Sequence, residues 1–260
     1  MLSIPRFRSN RKSENHKILE LARKSHKQSD GIYGLDKILR DVNEKIPCGR
    51  NRLYRILKEN KIHSKRPKKY KATTNSNHKL PVAENLLNQN FNVSKPYEVW
   101  VTDISYIPTE EGWLYLAIVK DLFNKEIVGW STDKTMTKEL TIHALKNAIR
   151  KHRPPKGLIH HSDRGVEYCS KGYQDLLKKH HFKCSMSRKG NCYDNACAET
   201  FFSTIKTECI HFRKFKTRKE ARNVIFEYIE IFYNRKRRHA ALDYMTPLEF
   251  TRKYKQRLAA

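Results

Sequence analysis

At 260 residues the chain is long enough for one medium domain and one small one, with 38% hydrophobic residues to build cores and 31% charged residues to cover them. Its 54 Lys and Arg against 27 Asp and Glu leave a net charge of +27, which calls for a polyanionic partner, nucleic acid ahead of an anionic membrane surface. No apolar run approaches the roughly 20 residues of a spanning helix, the N-terminus MLSIPRFRSN lacks the apolar centre of a secretory signal, and the cysteines Cys48, Cys169, Cys184, Cys192, Cys197 and Cys209 form no CxxC pair. The composition therefore argues for a cytoplasmic, nucleoid-associated protein with free thiols, and against a structural zinc site.

Taken in order, residues 1–66 carry helical periodicity. NHKILELARKS places Ile18, Leu19, Leu21 and Ala22 on one side of a first helix, and GLDKILRDVNEKI forms a second. After Pro47 and Gly49, GRNRLYRILKENKI repeats Leu53, Ile56 and Leu57 at helical spacing. Two helices joined by a short turn, the second bearing Arg50, Arg52, Arg55 and Lys58 opposite its apolar stripe, spell a DNA-binding helix-turn-helix. An ordinary three-helix bundle with a solvated basic face is the alternative. Charge favours the first, because residues 1–80 hold 22 basic and 7 acidic side chains. Residues 67–95 then lose periodicity, and SKRPKKYKATTNSNHK reads as part of a basic flexible linker.

A third segment, residues 96–210, alternates strands and helices. YEVWVTDISYIP, WLYLAIVKDLF and KEIVGWSTD are strands joined by short turns, which implies an antiparallel meander. TKELTIHALKNAIRKH is a helix stopped by Pro154 and Pro155. GLIHHS is a fourth strand, GYQDLLKKHHF a helix, KCSMS a short fifth strand and NACAETFFSTIKTE a final, partly buried helix. Asp121 reads as a fold residue and Asp194 as the N-cap of the last helix. Residues 211–260 form a helical extension in which TRKEARNVIFEYIEIFYN is one long amphipathic helix. NRKRRH behind it is a DNA-facing charge run, and Thr246 caps a helix opened by Pro247.

Three acids stand out. Asp103 lies mid-strand, Asp163 at a strand tip before Arg164 and Gly165, and Glu199 on the last helix with Lys206 seven positions on, two helical turns along one face. Each alone reads as a solvated or capping group. Brought together they would repel and raise one another's pKa unless cations neutralise them. Magnesium prefers such oxygens, and two ions can clamp the attacking and leaving oxygens of a phosphoryl displacement. Arg188, Lys189 and Asn191, in the loop SRKGNCYDN, are placed to touch a DNA backbone nearby.

The motifs VWVTDISYIP, HSDRGVEY, SRKGNCYDNACAETFFSTIK and YNRKRRHAALDYMTPLEF resemble the insertion-sequence transposases of the OrfB type, whose DDE core is related to retroviral integrases. The thirty-five residues between Asp163 and Glu199, and the lysine seven after the glutamate, match that pattern. Glu167 stands where glutamine is more usual, and Asp243 where glycine is. The resemblance implies a ribonuclease-H-like α/β core, a mixed five-stranded sheet with flanking helices, behind a small helix-turn-helix domain.

It also implies a DDE polynucleotidyl transferase that cuts and joins DNA during transposition. Asp103, Asp163 and Glu199 would be both the catalytic acids and the ligands of two Mg2+ ions, with Mn2+ as a substitute. Lys206 would hold a terminal base or phosphate, and His161 would orient an acid or phosphate. The implied partners are double-stranded DNA at element ends and target, further copies of the chain on that DNA, and an upstream-frame product. The last is expected because residues 1–66 carry no sustained heptad seam. A metal nuclease without joining, and a DNA-binding regulator without catalysis, are the rival readings.

Overall fold

Leu53, Ile56 and Leu57 recur on one side of a short helix, and that stripe builds a small core. The computed structural model describes residues 10–65, 80–188 and 191–259, and the chain divides into two compact units, Met1–Pro67 and Lys68–Ala260. In the first, α1 (Asn10–Gln28), α2 (Leu35–Asn43) and α3 (Arg50–Glu59) bury Ile18, Ala22, Ile38, Val42, Leu53, Ile56 and Leu57 against one another. Asn43 Oδ1 accepts the Cys48 N–H at 2.7 Å and so closes the turn between α2 and α3.

The second unit is built on a sheet of order β3-β2-β1-β4-β5. Its strands are β1 (Val99–Thr109), β2 (Gly112–Asp121), β3 (Ile127–Asp133), β4 (Ile159–Ser162) and β5 (Lys183–Met186). The first three form an antiparallel meander, while β1–β4 and β4–β5 pair in parallel. The expected mixed five-stranded architecture is therefore present.

Helices cover both faces. On one lie α4 (Lys138–His152), a single-turn α5 (Val166–Cys169) and α6 (Lys171–Lys179), packed on Trp100, Ala117, Val119 and Val128. Gly129 permits that approach, since a Cβ there would stand 2.5 Å from Ala144 O and 2.6 Å from Ala148 Cβ. On the other face α7 (Ala196–Ile205) and α8 (Arg218–Phe226) pack Phe201, Phe202, Ala221 and Ile225 on Val101, Ile107, Leu116 and Ile118. The C-terminal extension thus shares the core of the sheet.

Four expectations change. The single helix expected over 217–234 is α8 followed by wide π turns at Glu227–Tyr233, and α7 likewise opens into π turns over Lys206–Ile210. The expected linker does not run to residue 95: Leu87 is buried, and the chain before it lies along β5, with Met186 N donating to Glu84 O at 3.2 Å and Leu86 N to Ser185 Oγ at 2.9 Å. This strap covers a sheet edge that would otherwise be open. The linker's residues 67–79 lie outside the described residues. Asp194 is not the cap of α7, whose N-cap is Asn195 without a side-chain bond. Arg237, in the expected DNA-facing run, is instead forked onto Glu208 at 2.7–3.0 Å, while Arg235 and Lys236 remain exposed.

Other details follow the sequence. Asp121 is buried and accepts from Tyr97 N, Phe123 N and Trp100 Nε1. Thr246 and Glu249 exchange reciprocal bonds at the start of α9 (Pro247–Ala259), a capping box. Asp243 takes the left-handed conformation, φ 52°, that glycine would adopt without strain.

Candidate active site

Parallel pairing between β1 and β4 ends at Val101 with His161. Two residues further along each strand come Asp103 and Asp163, so the same register sets the two acids side by side where the strands part. Neighbouring strands lie about 4.8 Å apart, and such a carboxyl-end crevice is where open α/β sheets take their ligands. Beyond the last pair Asn195 Nδ2 donates to Thr102 O at 3.2 Å, filling the edge that β4 leaves.

Asp163 is fixed by the turn that follows it. Its Oδ1 accepts the Gly165 N–H at 2.9 Å. A Cβ on Gly165 would lie 3.1 Å from that oxygen and 3.0 Å from Glu167 Oε2, a tight fit to which both carboxylates would have to yield. Glu167 is buried on α5 and adds a fourth carboxylate close by.

Glu199 comes from α7, which is held from below. The buried Lys120 donates its ammonium to Cys197 O at 2.9 Å, and burial pushes that lysine's pKa down to about 8. Glu199 itself is exposed, while Asp103 and Asp163 are half-buried.

Electrostatics tie the three acids together. Burial, then the Asp163 and Glu199 charges, raise the Asp103 pKa well above the ordinary carboxylate value, against the pull of the Ile104 N–H and Lys206. Glu199, though its side chain reaches solvent, is raised too, by partial desolvation and then by the Asp163 charge. Lys206 is buried where the π turns begin, with Nζ 5.0 Å from the Tyr106 ring centroid. Burial lowers its pKa to about 8 while Asp103 pulls it up. Among the described residues no three His, Cys, Asp or Glu side chains are grouped to hold one metal ion as they stand.

The flanking residues divide. The guanidinium of Arg188 forks onto Asp194 at 2.9 and 3.0 Å, and Asp194 also accepts from Arg188 N, Asn85 and Gln89. Asp194 is thus the buried hub that fixes the loop, and the Arg188 hydrogen bond holds its carboxyl far below the usual range. Asn191 stays in that loop, its N–H donating to Arg188 O at 3.3 Å, whereas Lys189 lies outside the described residues. The acid that acts on His161 is Asp194, whose charge opposes the effect of burial. Its ring nitrogens bond Ser185 and Ser187, and burial takes its pKa down to about 4.

In the helical unit Arg50 pairs with Asp36 at 2.9 Å and Arg52 with Glu14 at 2.7 Å, while Arg55 and Lys58 are exposed. The sequence reading missed Asp194 as a hub, Lys120 and Glu208–Arg237. A lysine inside an otherwise apolar strand, AIVKD, was the available signal for the second.

Known proteins decide the family. Residues 93–192 and 199–254 match the integrase core domain, and residues 13–70 match an HTH-like domain. The chain is 48% identical over 252 residues to an insertion element IS600 uncharacterized 31 kDa protein of Shigella sonnei, covering 96% of this chain and 93% of that one. It is 45% identical over 197 residues to the transposase InsF for insertion sequence IS3A of Escherichia coli, covering 76% and 68%.

The chain belongs to the insertion-sequence transposases with an integrase core.

The fold is also that of a simian T-cell lymphotropic virus intasome chain, with a TM-score of 0.51 and 15% identity, covering 88% of the transposase and 74% of that chain. Polynucleotidyl transfer is the activity of the transposase family, and an HTH-like domain ahead of an integrase core accounts for the high net charge. No described helix is long and apolar enough to cross a membrane.

Proposed function

We propose that this transposase cuts DNA at the ends of its insertion sequence and joins the freed 3′ hydroxyls to a target, using Asp103, Asp163 and Glu199 as its catalytic, metal-holding acids. The observation that carries the proposal is the convergence of carboxylates from β1, from the tip of β4 and from α7, where burial and then mutual repulsion raise the pKa of Asp103 and Glu199. A fold gains nothing from such repulsion, whereas cation binding relieves it. The donor set fits the hard divalent ions. Magnesium needs only one or two carboxylates and fills its remaining positions with water and phosphate oxygens, so Asp103, Asp163 and Glu199 would suffice to hold two ions, and manganese could replace them. When bound, such ions activate the attacking oxygen and stabilise the leaving one.

The chain's own residues do the rest. Gly165 holds the Asp163 carboxylate, Lys120 and Asn195 fix the start of α7, and Lys206 places a cation beside Asp103 where DNA phosphates or bases arrive. Arg55 and Lys58 of α3, with Arg50, are the first candidates for duplex contact by the helical unit. Arg52 is committed to Glu14 and supports that helix. Asn191 and Lys189 extend the DNA path, and Arg188 orders it through Asp194. Further copies of the chain on DNA, and the upstream-frame product, complete the active assembly.

The test is strand transfer into plasmid with element-end DNA in magnesium. Asp163→Asn keeps size and removes one charge, so cutting and joining fall at least about a hundredfold while duplex affinity stays. Near-normal joining by Asp163→Asn refutes the assignment.

A further inference from the structure

Three tryptophans sit on the sheet, and they are used differently. Trp100 donates its indole N–H to Asp121 at 3.2 Å and Trp130 to Glu230 at 3.0 Å. Trp113 leaves 48% of its surface open at the hairpin end of β1 and β2. It meets Tyr106 edge to face, ring centroids 4.8 Å apart, and the Lys206 ammonium lies over that same Tyr106 ring. Pairing across the hairpin sets Tyr106 opposite Tyr115 and Pro108 opposite Trp113, so the rings share one face of the strand pair.

We infer that Tyr106 and Trp113, joined to the carboxylates through Lys206, form a stacking shelf for one unpaired base of the DNA strand being cut or joined. The inference deepens the proposed function and rests on it.

Distance supports it first. Tyr106 follows Asp103 by three residues on one strand, about 10 Å at the rise of an extended chain and on the other side of the pleat, and Lys206 reaches both, answering Asp103 electrostatically and Tyr106 through its ring. Rigidity supports it next. Arg218 Nε donates to Trp113 O at 3.0 Å, Arg218 N to Glu111 Oε2 at 2.8 Å, and Glu110 N to Phe215 O at 3.0 Å. The hairpin end is therefore bound to the segment before α8, and an exposed aromatic held this firmly is preorganised. Charge selects the ligand. Lys214 and Lys216 stand exposed in that segment, and aromatic rings interleaved with cations are the surface on which single-stranded nucleic acid stacks. An apolar protein partner would gain little from those cations.

The test uses the full chain without metal, so that binding is read apart from chemistry. The probes are a blunt DNA duplex and the same duplex with a short unpaired tail carrying 2-aminopurine. Wild type should quench the tail's fluorescence and prefer the tailed duplex. Trp113→Ala should lose the quench and about tenfold in tailed-duplex affinity with blunt-duplex affinity kept, and Trp113→Phe should restore most of both.

Unchanged quench and affinity in Trp113→Ala overturn the shelf. So does a change in oligomeric state with no change in quench, which would mark a protein interface. Should Trp113→Ala fail to fold, Trp113→Leu, apolar without a ring, is read by the same criteria. Repeating the measurement in Asp163→Asn separates the two proposals: a quench there with joining intact refutes the carboxylates alone, and a lost Trp113 effect with joining abolished refutes the shelf alone.

Discussion

The two faces of the central sheet bury polar groups in opposite ways. Beneath α4 and α6 the buried groups are satisfied within the fold, mostly by neutral pairs, and the buried Asp121 carboxylate accepts from Tyr97 N, Phe123 N and Trp100 Nε1. Tyr173 and His160 exchange a hydrogen bond at 2.5 Å, and Thr102 and Tyr168 one at 3.3 Å. Beneath α7 the face is ionic, with Asp103 beside Asp163 and Glu199, Lys120 under the helix start and Lys206 at its end. Burying ions is expensive unless each is paired. Where α4 and α6 cover it the first face therefore serves the fold, and the second carries strain that a bound cation and a polyanion can relieve.

The largest expected effect comes from removing that strain. Asp103 and Glu199 have raised pKa values, so the native state keeps protons that the unfolded chain has already lost. Their contribution makes the metal-free protein less stable as pH climbs from about 4 through those raised values. Asp103→Asn is expected to abolish joining, by at least about a hundredfold. It should also raise the metal-free melting temperature at neutral pH relative to wild type and shrink the gain that magnesium gives. Melting curves between about pH 4 and 7, with and without magnesium, check this, and a variant no more stable than wild type at pH 7 would show that the acids do not repel.

A substitution on the other face should do the reverse. Gly129→Ala drives a methyl group into the α4 backbone, with Ala144 O only 2.5 Å away. Overpacking of that kind costs about 3 kcal/mol, read as a lower urea midpoint, with joining per folded molecule unchanged. A selective loss of joining at full stability would break the division between faces.

Both faces were partly legible in the sequence, for different reasons. Asp103 and Asp163 stood out because the first interrupts and the second ends an apolar or β-branched run, and the register from Val101 with His161 then aligns them without any further contact. The strands and α4 were legible because alternation and helical spacing record which side is buried. The π turns at Lys206–Ile210 and Glu227–Tyr233 were not, since one extra residue per turn leaves an apolar stripe that still looks α-helical. The strap before Leu87 showed no pattern because it reaches β5 partly through a serine hydroxyl and a methionine sulfur, not a regular ladder. Asp194 looked like a helix cap and Arg237 like a surface charge, and only their tertiary partners, Arg188 and Glu208, reveal them as links within the fold.

The smallest effect sharpens the comparison on the neutral face. Burial, followed by the His161 charge, pushes the His160 pKa down from 6.5 to about 3, so the native ring stays neutral where the unfolded one gains a proton. That group therefore contributes stability above its unfolded pKa of 6.5 and loses it as pH falls toward 3, opposite in sign to the Asp103 limb. Tyr173→Phe keeps the ring packed edge to face on Tyr168 but removes the hydroxyl that His160 Nε2 bonds. The expected loss is about 1 kcal/mol at neutral pH, measured by urea denaturation. The acid limb below pH 6.5 should survive the substitution, because burial and not the hydroxyl keeps His160 neutral. If that limb vanished with the hydroxyl, the pairing with Tyr173 would be what suppresses protonation, and the neutral face would owe its character to one bond.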